Sequence, residues 1–469
     1  MATQTQVYDC IVVGAGYAGL AAAKHLRDSA TTSKISPKIL VLEARPRVGG
    51  RVMTETYEDG TYFDFGGSYL GRGQPRMYAL AEEYAVETYS RYFEGRLVQM
   101  YRGKHASYNG FVPALSILDL IDIHLAITRF EKLAKTIDLE EPWKTSGATR
   151  LDNLTLAEWF RQQCWTTAAK DFLTVMAELI WGARPSEFST LHALWYSKAG
   201  ISLNSLCTSK DGAQHELIVG GSQTIPNKIH AELGEESVHL GEPVMSVDHL
   251  GDDDGHANGC VKVTTAKNSY DARRVIIAIP PAYVSRMSFN PPLPHARQTL
   301  LQHSPMGCYW KFFACYETAF WRRKGLCGEA TSPDGIISAT FDTTPKHEKY
   351  AVLMAFVVGE KGRTLSTKGK SERERAILKD LINFFGKEAG EPFKFVEHTM
   401  MDEEFIGGCP VATPSPGMWT TLGPWLRKPF RRVHWAGTET STSWSGYMEG
   451  AVCSGQRAAE EVLSSMKGT

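Results

Sequence analysis

YDCIVVGAGYAG, residues 8–19, decides the fold. Its apolar run ends in glycine and is followed by Ala18–Leu26 with helical spacing, then by a second apolar run, Ile39–Leu42. That order is a βαβ unit, and the right-handed crossover rule makes its strands parallel. Gly14, Gly16 and Gly19 have GxGxxG spacing. The first permits the tight turn, the second lets backbone approach a phosphate, and the third lets helix pack on strand. Alone the spacing is weak. Here it follows a strand, opens a helix, and precedes Glu43 at the end of LVLEA, whose carboxylate can accept hydrogen bonds from ribose hydroxyls and repels a 2′-phosphate. A dinucleotide is the expected ligand. Downstream, ARPRVGGR supplies Arg45, Arg47, Gly49, Gly50 and Arg51, read as arginines that neutralise a pyrophosphate beside glycines that let the chain pass close to it.

Working outward, residues 28–38 read as a polar loop, while 77–137 and 155–198 read as amphipathic helix without a glycine fingerprint. From Val219 the pattern returns to alternating strands and helix, with Asp252–Asp254 as an acidic hairpin tip. Runs at 312–315, 336–340 and 352–358 predict a second sheet, and 371–385 and 450–465 predict helices. The implied fold class is α/β: a discontinuous Rossmann-like cofactor domain (residues 8–88, 219–293 and 403–465) and an α+β substrate domain, a mixed sheet flanked by helices (89–218 and 294–402). The last cofactor segment holds two further fragments of interest, IGGCPVATPSPG with Cys409 in a glycine- and proline-bounded turn, and VHWAGTETSTSWSGYMEG at 433–450.

Composition excludes several classes. The 51 Lys and Arg against 52 Asp and Glu give a formal charge of −1, so no global field favours nucleic acid or an anionic membrane. Local basic clusters at 322–324 and 427–432 read either as solvated loops or as a rim that attracts anionic substrate groups. Nine scattered cysteines without a CxxC pair argue against a disulfide framework or a metal site and suit a reducing compartment. No signal peptide, spanning segment or C-terminal SKL is evident, so a cytoplasmic or other soluble intracellular location is expected.

The extended string LEARPRVGGR, with FDFGGSYLG (63–71), LHALWYSKAG (191–200), IVGGSQ (218–223), FNPPLP (289–294) and WAGTET followed by WSGYMEGA, resembles the flavin-containing amine oxidases and within them the monoamine oxidase branch. The motifs fall in the family's order along nearly the whole chain, and soluble fungal amine oxidases are the nearer likeness because no C-terminal membrane helix is present. The resemblance implies FAD rather than NAD. It extends the cofactor set from Gly14, Gly16, Gly19, Glu43, Arg45, Gly50 and Arg51 to Gly67, Ser68, Val244, Cys409, Thr438, Glu439 and Met448. At Cys409 the mitochondrial enzymes hold FAD through an 8α-thioether, whereas other members bind it without a covalent bond.

Two catalytic residues follow from the same likeness: Lys311, matching the lysine that holds a water against flavin N5, and Tyr447, matching one of two rings that flank the amine nitrogen. A lysine within an apolar run also demands buried partners or a shifted pKa on physical grounds. Gln214, Ile180, Trp181 and Cys207 are assigned to the substrate wall. The second ring of the family's cage is replaced by Pro410, which opens the cage toward bulkier amines. Arg184, His192, Trp195 and His215 attract notice without a mechanism that requires them.

The implied reaction is oxidation of a primary amine to an imine, then to a carbonyl compound and ammonia, with O2 reduced to H2O2. The chemistry belongs to the flavin. Bulky or long aliphatic amines are the expected substrates, including acidic sphingosine-like toxins such as fumonisins. The alternatives are another flavin oxidase of the same fold, acting on polyamines, L-amino acids or porphyrinogens, or a non-catalytic FAD-stabilised binding protein. Expected partners are the amine and O2, with no nucleic acid, metal or membrane anchor; a homo-oligomer is left open.

Overall fold

The computed structural model describes residues 6–33, 37–110, 113–250 and 259–467; the predicted acidic tip at 252–254 lies outside them. One sheet has the order Val238–Leu240, Ile39–Glu43, Val7–Val13, Ser269–Ile277, Cys260–Thr265, Val244–Leu250 and Ser288–Asn290, with Val433–Trp435 also paired to Ser269–Ile277. The four strands from Val238 to Ile277 in that order are parallel, and Cys260–Thr265 runs antiparallel between its neighbours. Its central strands are buried on both faces, which is why they read as unbroken apolar runs rather than alternating ones.

The glycine turn is a steric necessity. Gly14 has φ +101°, and a Cβ on Gly19 would lie 1.8 Å from the Gly14 carbonyl oxygen. The helix that follows, Tyr17–Ser33, packs along the closing helix Met448–Lys467, with Gly455 so close that a Cβ would sit 2.1 Å from the Ala18 carbonyl oxygen. The first and last motifs of the chain are thereby held side by side in one apolar core with Ala22, Val452 and Ala459.

A second, mixed sheet runs Lys394–Thr399, Tyr309–Tyr316, Ala351–Val358, Ala339–Asp342, Leu326–Thr331, Arg96–Tyr101, Lys104–Tyr108. Helices between Ile117 and Cys207 pack around a separate cluster rich in Trp and Phe. Among the described residues no helix is long and apolar enough to cross a membrane.

Three local expectations need correction. The polar loop at 28–38 is in its first part helix, because Tyr17–Ser33 continues through Asp28, which ion-pairs with Lys24 one turn earlier. The helical stretch expected at 77–137 holds the short strand Thr88–Ser90 and the hairpin Arg96–Tyr101 with Lys104–Tyr108 before the helix Ile117–Thr136 begins. Arg102 and Gly103, at φ 52° and 73°, form the primed turn that a two-residue hairpin requires. The strand expected at 336–340 is Ala339–Asp342.

Candidate active site

A single cavity of about 650 Å³ runs from the glycine turn to the wall of the helical layer. Gly14, Gly16, Glu43 and Val244 line one end; Gly67, Ser68, Cys409, Thr438 and Met448 line its middle; Ile180, Cys207, Gln214 and Tyr447 line the other. Glu43 is 6% exposed and already accepts from the Ala15 and Arg45 backbone N–H groups at 2.7 and 3.1 Å. Its remaining lone pairs are available for ribose hydroxyls. Gly16 and Gly50 approach so closely that a Cβ on Gly50 would lie 3.1 Å from Gly16 Cα, which leaves bare backbone facing the cavity. These residues fit an extended dinucleotide.

Arg51 and Arg45 line the same cavity, and each is also held by partners within the protein. Arg51 grips Glu439 with both Nη atoms, at 2.5 and 2.9 Å, and donates to the Pro410 carbonyl at 2.8 Å. Arg45 donates to Glu403 at 3.0 Å and to the Gly50 carbonyl at 2.8 Å. Carboxylates within the protein therefore already neutralise both cations, and Arg51 ties the glycine segment to the cysteine turn. Burial alone would raise the Glu439 carboxyl, but the Arg51 guanidinium brings it below its ordinary value.

Lys311, 7% exposed, lies on Tyr309–Tyr316. Its ammonium donates to the Asp64 carbonyl (2.9 Å), the Gly66 carbonyl (2.6 Å) and Ser68 Oγ (2.7 Å). Burial pulls it down to about 8, against the opposing pull of Asp64 and Cys409. Cys409 itself is pushed up to about 11 by burial, with Lys311 and Arg51 pulling the other way.

Tyr447 stands in the cavity wall with its ring 6.4 Å from Tyr196 and 5.2 Å, edge-on, from Trp444. Tyr196 and Tyr309 line the cavity too, so three tyrosines face the space beside Cys409 and Pro410. Tyr309 is fixed by donating its hydroxyl to the Leu179 carbonyl and by edge contact with Phe356 at 5.2 Å. Neither ring was singled out from the sequence. Tyr309 was findable, since it lies two residues before Lys311 on one strand and so shares its face.

Gln214 is oriented by donating Nε2 to the Leu206 carbonyl at 3.0 Å. Trp181 is a correction: it lies behind the wall, 1% exposed, packed on Phe188 and Tyr196 at 5.0 and 5.3 Å, and does not line the cavity. Arg184, His192, Trp195 and His215 also stand away from the cavity. His192 accepts from Trp419 Nε1 at 3.1 Å, and burial lowers it to about 3, so it stays neutral within the aromatic core. The anion-attracting rim is also absent at the basic clusters: Arg322 pairs with Asp342 and Glu348, Lys324 with Glu388 and Arg427 with Glu140, and none of them lines the cavity.

A dinucleotide cradle joined to a tyrosine-lined chamber that holds one buried lysine is the site of a cofactor-dependent oxidoreductase. The chain belongs to the flavin-containing amine oxidoreductase family, whose description it matches over residues 17–463. It is 37% identical over 472 residues to the flavin-containing amine oxidase of Oncorhynchus mykiss, covering 99% of this chain and 87% of that one. The structure of cyclohexylamine oxidase from Brevibacterium oxydans IH-35A superposes with a TM-score of 0.92 at 30% identity, covering 98% of this chain and all of that one. Wild-type putrescine oxidase bound to putrescine gives a TM-score of 0.92 at 29% identity, with coverage of 98% and 100%. The protein is a flavin-dependent amine oxidase.

Gly446 precedes Tyr447 at φ +83°, and a Cβ there would lie 2.0 Å from the Tyr196 hydroxyl. Gly446→Ala therefore displaces both tyrosines while leaving the nucleotide end intact. Steady-state kinetics beside flavin quantitation should show kcat/KM falling by about a hundredfold with flavin content unchanged.

Proposed function

We propose that the chain oxidises long or bulky aliphatic monoamines. The reading rests on one observation: among the described residues that line the chamber beyond Lys311 there is no carboxylate. Only Glu43 and Glu404 among the cavity-lining residues are acidic, and both lie toward the nucleotide end, Glu404 adjoining the Glu403 that pairs with Arg45. A diamine entering this chamber would bury its second ammonium without a partner, a cost of several kcal/mol. Pro410 in the wall leaves room for bulk beside Tyr447, so a chain longer than an arylalkyl group fits. Acidic sphingosine-like amines such as fumonisins belong to this class when their carboxylates stay outside the apolar chamber.

Bound FAD would supply the hydride acceptor for the amine αC–H and the route for its electrons to O2, which would give H2O2. The protein does the rest. Tyr447, Tyr196 and Tyr309 orient the neutral amine and exclude water. Gln214 presents its amide oxygen to the substrate side. Lys311 keeps a buried cation in the cavity, and Cys409, which lines it, would carry the cofactor as an 8α-thioether. Because the amine must shed its proton to enter an apolar chamber, kcat/KM should rise with pH toward the amine's own pKa.

Peroxide release across an amine panel tests the substrate class. Hexylamine and an anionic long-chain amine should exceed benzylamine, and putrescine should trail hexylamine by at least about a hundredfold in kcat/KM. A benzylamine or putrescine preference overturns the reading, and silence across the panel with bound flavin favours the binding-protein alternative. The tether has its own test: after acid denaturation the flavin absorbance should stay with the protein and the intact mass should carry the FAD increment, whereas Cys409→Ala should release free FAD. Release from the unmodified protein rejects the thioether.

A further inference from the structure

We propose that Arg91 is a positioning residue for the substrate wall: from behind the cavity it fixes Gln214, Tyr69 and Phe341, and so sets how tightly the amine is held. The inference rests on the monoamine reading above and adds the group that keeps the wall in shape. Gln214, Tyr69 and Phe341 all line the cavity, yet they come from three separate places: the loop before Glu216–Ile218, the short strand Tyr69–Leu70 and the strand Ala339–Asp342. Glu216–Ile218 and Tyr69–Leu70 belong to a small three-stranded sheet with Thr88–Ser90, whereas Ala339–Asp342 belongs to the second large sheet. One face of the chamber is therefore assembled from two sheets.

Arg91 joins them. It directly follows Thr88–Ser90, and its backbone N–H donates to the His215 carbonyl at 3.1 Å. Its side chain has no exposed surface and does not line the cavity. Nε donates to the Gln214 carbonyl at 2.8 Å, and Nη2 donates to Glu329 Oε1 at 3.2 Å on the strand Leu326–Thr331 of the second large sheet. The guanidinium carbon lies 5.2 Å from the Tyr69 ring centre, 5.1 Å from that of Phe93 and 4.8 Å from that of Phe341. One planar cation thus touches a backbone carbonyl, a carboxylate and both cavity rings.

That combination needs an arginine. The guanidinium has donors at fixed angles and a flat face that stacks on rings, whereas a lysine offers one compact charge on a flexible stem. Filling the space would not require a charge, since well-packed apolar side chains often replace a buried ion pair without loss of stability. What the pair contributes is geometry. Gln214 is held at both ends, its carbonyl by Arg91 and its Nε2 by the Leu206 carbonyl at 3.0 Å. The Tyr69 ring lies 6.0 Å from Phe341 and 6.0 Å from Lys311 Nζ, so the wall that Arg91 holds reaches the buried lysine.

Anaerobic stopped-flow reduction of the holoenzyme by hexylamine, with benzylamine as the second amine, separates the dissociation constant from the limiting rate of flavin reduction. Flavin content and reoxidation by O2 are measured beside it. The double variant Arg91→Met, Glu329→Met leaves no unpaired charge buried and keeps the apolar packing, so a purely structural role predicts parental values. Positioning predicts a dissociation constant raised at least about tenfold for both amines, a limiting rate within about threefold of the parent, and unchanged flavin content and reoxidation. Arg91→Lys, which keeps the charge without the fork, should show the same rise and decides the matter where the double variant loses its flavin. Parental dissociation constants in either variant that retains flavin overturn the proposal, as does a lowered limiting rate at an unchanged dissociation constant. Loss of flavin from both variants shows a structural anchor and overturns it too. A parent holoenzyme whose flavin neither amine reduces overturns the monoamine reading and the positioning role together, whereas a reducible parent with parental variants overturns the positioning role alone.

Discussion

The Arg51–Glu439 pair, with Glu439 buried and Arg51 half-buried, is the constraint on which the site depends. Both guanidinium Nη atoms meet both carboxylate oxygens, the Pro410 carbonyl takes a third bond, and the Ala412 N–H reaches Glu439 Oε1 at 3.2 Å. Three segments that are far apart in sequence, at 45–51, 409–412 and 437–439, are joined by these few bonds. Removing one partner of a buried ion pair costs about 3–5 kcal/mol, because the other charge is left without compensation. The pair has a defined pH window. Since the folded Glu439 carboxyl lies below its ordinary value, its contribution is complete above the ordinary carboxylate pKa and is lost as pH falls through the lowered one.

This strut explains why one cavity can serve two unlike tasks. The nucleotide end is backbone: the Gly14 turn, the Gly16–Gly50 contact and one carboxylate at Glu43. The chemical end is side chains: Lys311 and Tyr309 from the second sheet, Tyr196 from the helical layer, and Tyr447 from the turn before the closing helix. A redox cofactor must lie across both without play, and the strut fixes the segment that passes between them. The Lys311 tripod performs the matching task from the other sheet, since its acceptors Asp64, Gly66 and Ser68 belong to the same glycine-rich stretch that borders the cavity.

Much of this was legible in the sequence, and the reasons are physical. The βαβ unit declares itself because parallel strands buried on both faces are unbroken apolar runs and the turn tolerates only glycine at Gly14 and Gly19. Lys311 stood out because a cation within YWKFF must be satisfied from elsewhere. What stayed hidden depends on partners distant in the chain. Nothing local discloses that Arg51 meets Glu439, and Trp181 looked like cavity wall because helical spacing gives a face but not which neighbour covers it. Of the two readings open for the basic clusters, solvated loops or a rim, the ion pairs with Asp342, Glu388 and Glu140 favour the first. The hairpin at 96–108 was missed because its Leu- and Met-bearing strands sit between helices, and only the Arg102–Gly103 turn marks it.

A double-mutant cycle on Arg51→Met and Glu439→Gln, made in the Cys409→Ala background and read from urea unfolding after the released flavin is removed, tests the strut most directly. Omitting the cofactor separates the pair's own energy from any effect on binding. Each single variant should lose about 3–5 kcal/mol, and the double variant should lose far less than their sum, leaving a coupling of about 2–3 kcal/mol. Losses that add to within about 0.5 kcal/mol would show two independent side chains, and would contradict the claim that this pair holds the site together.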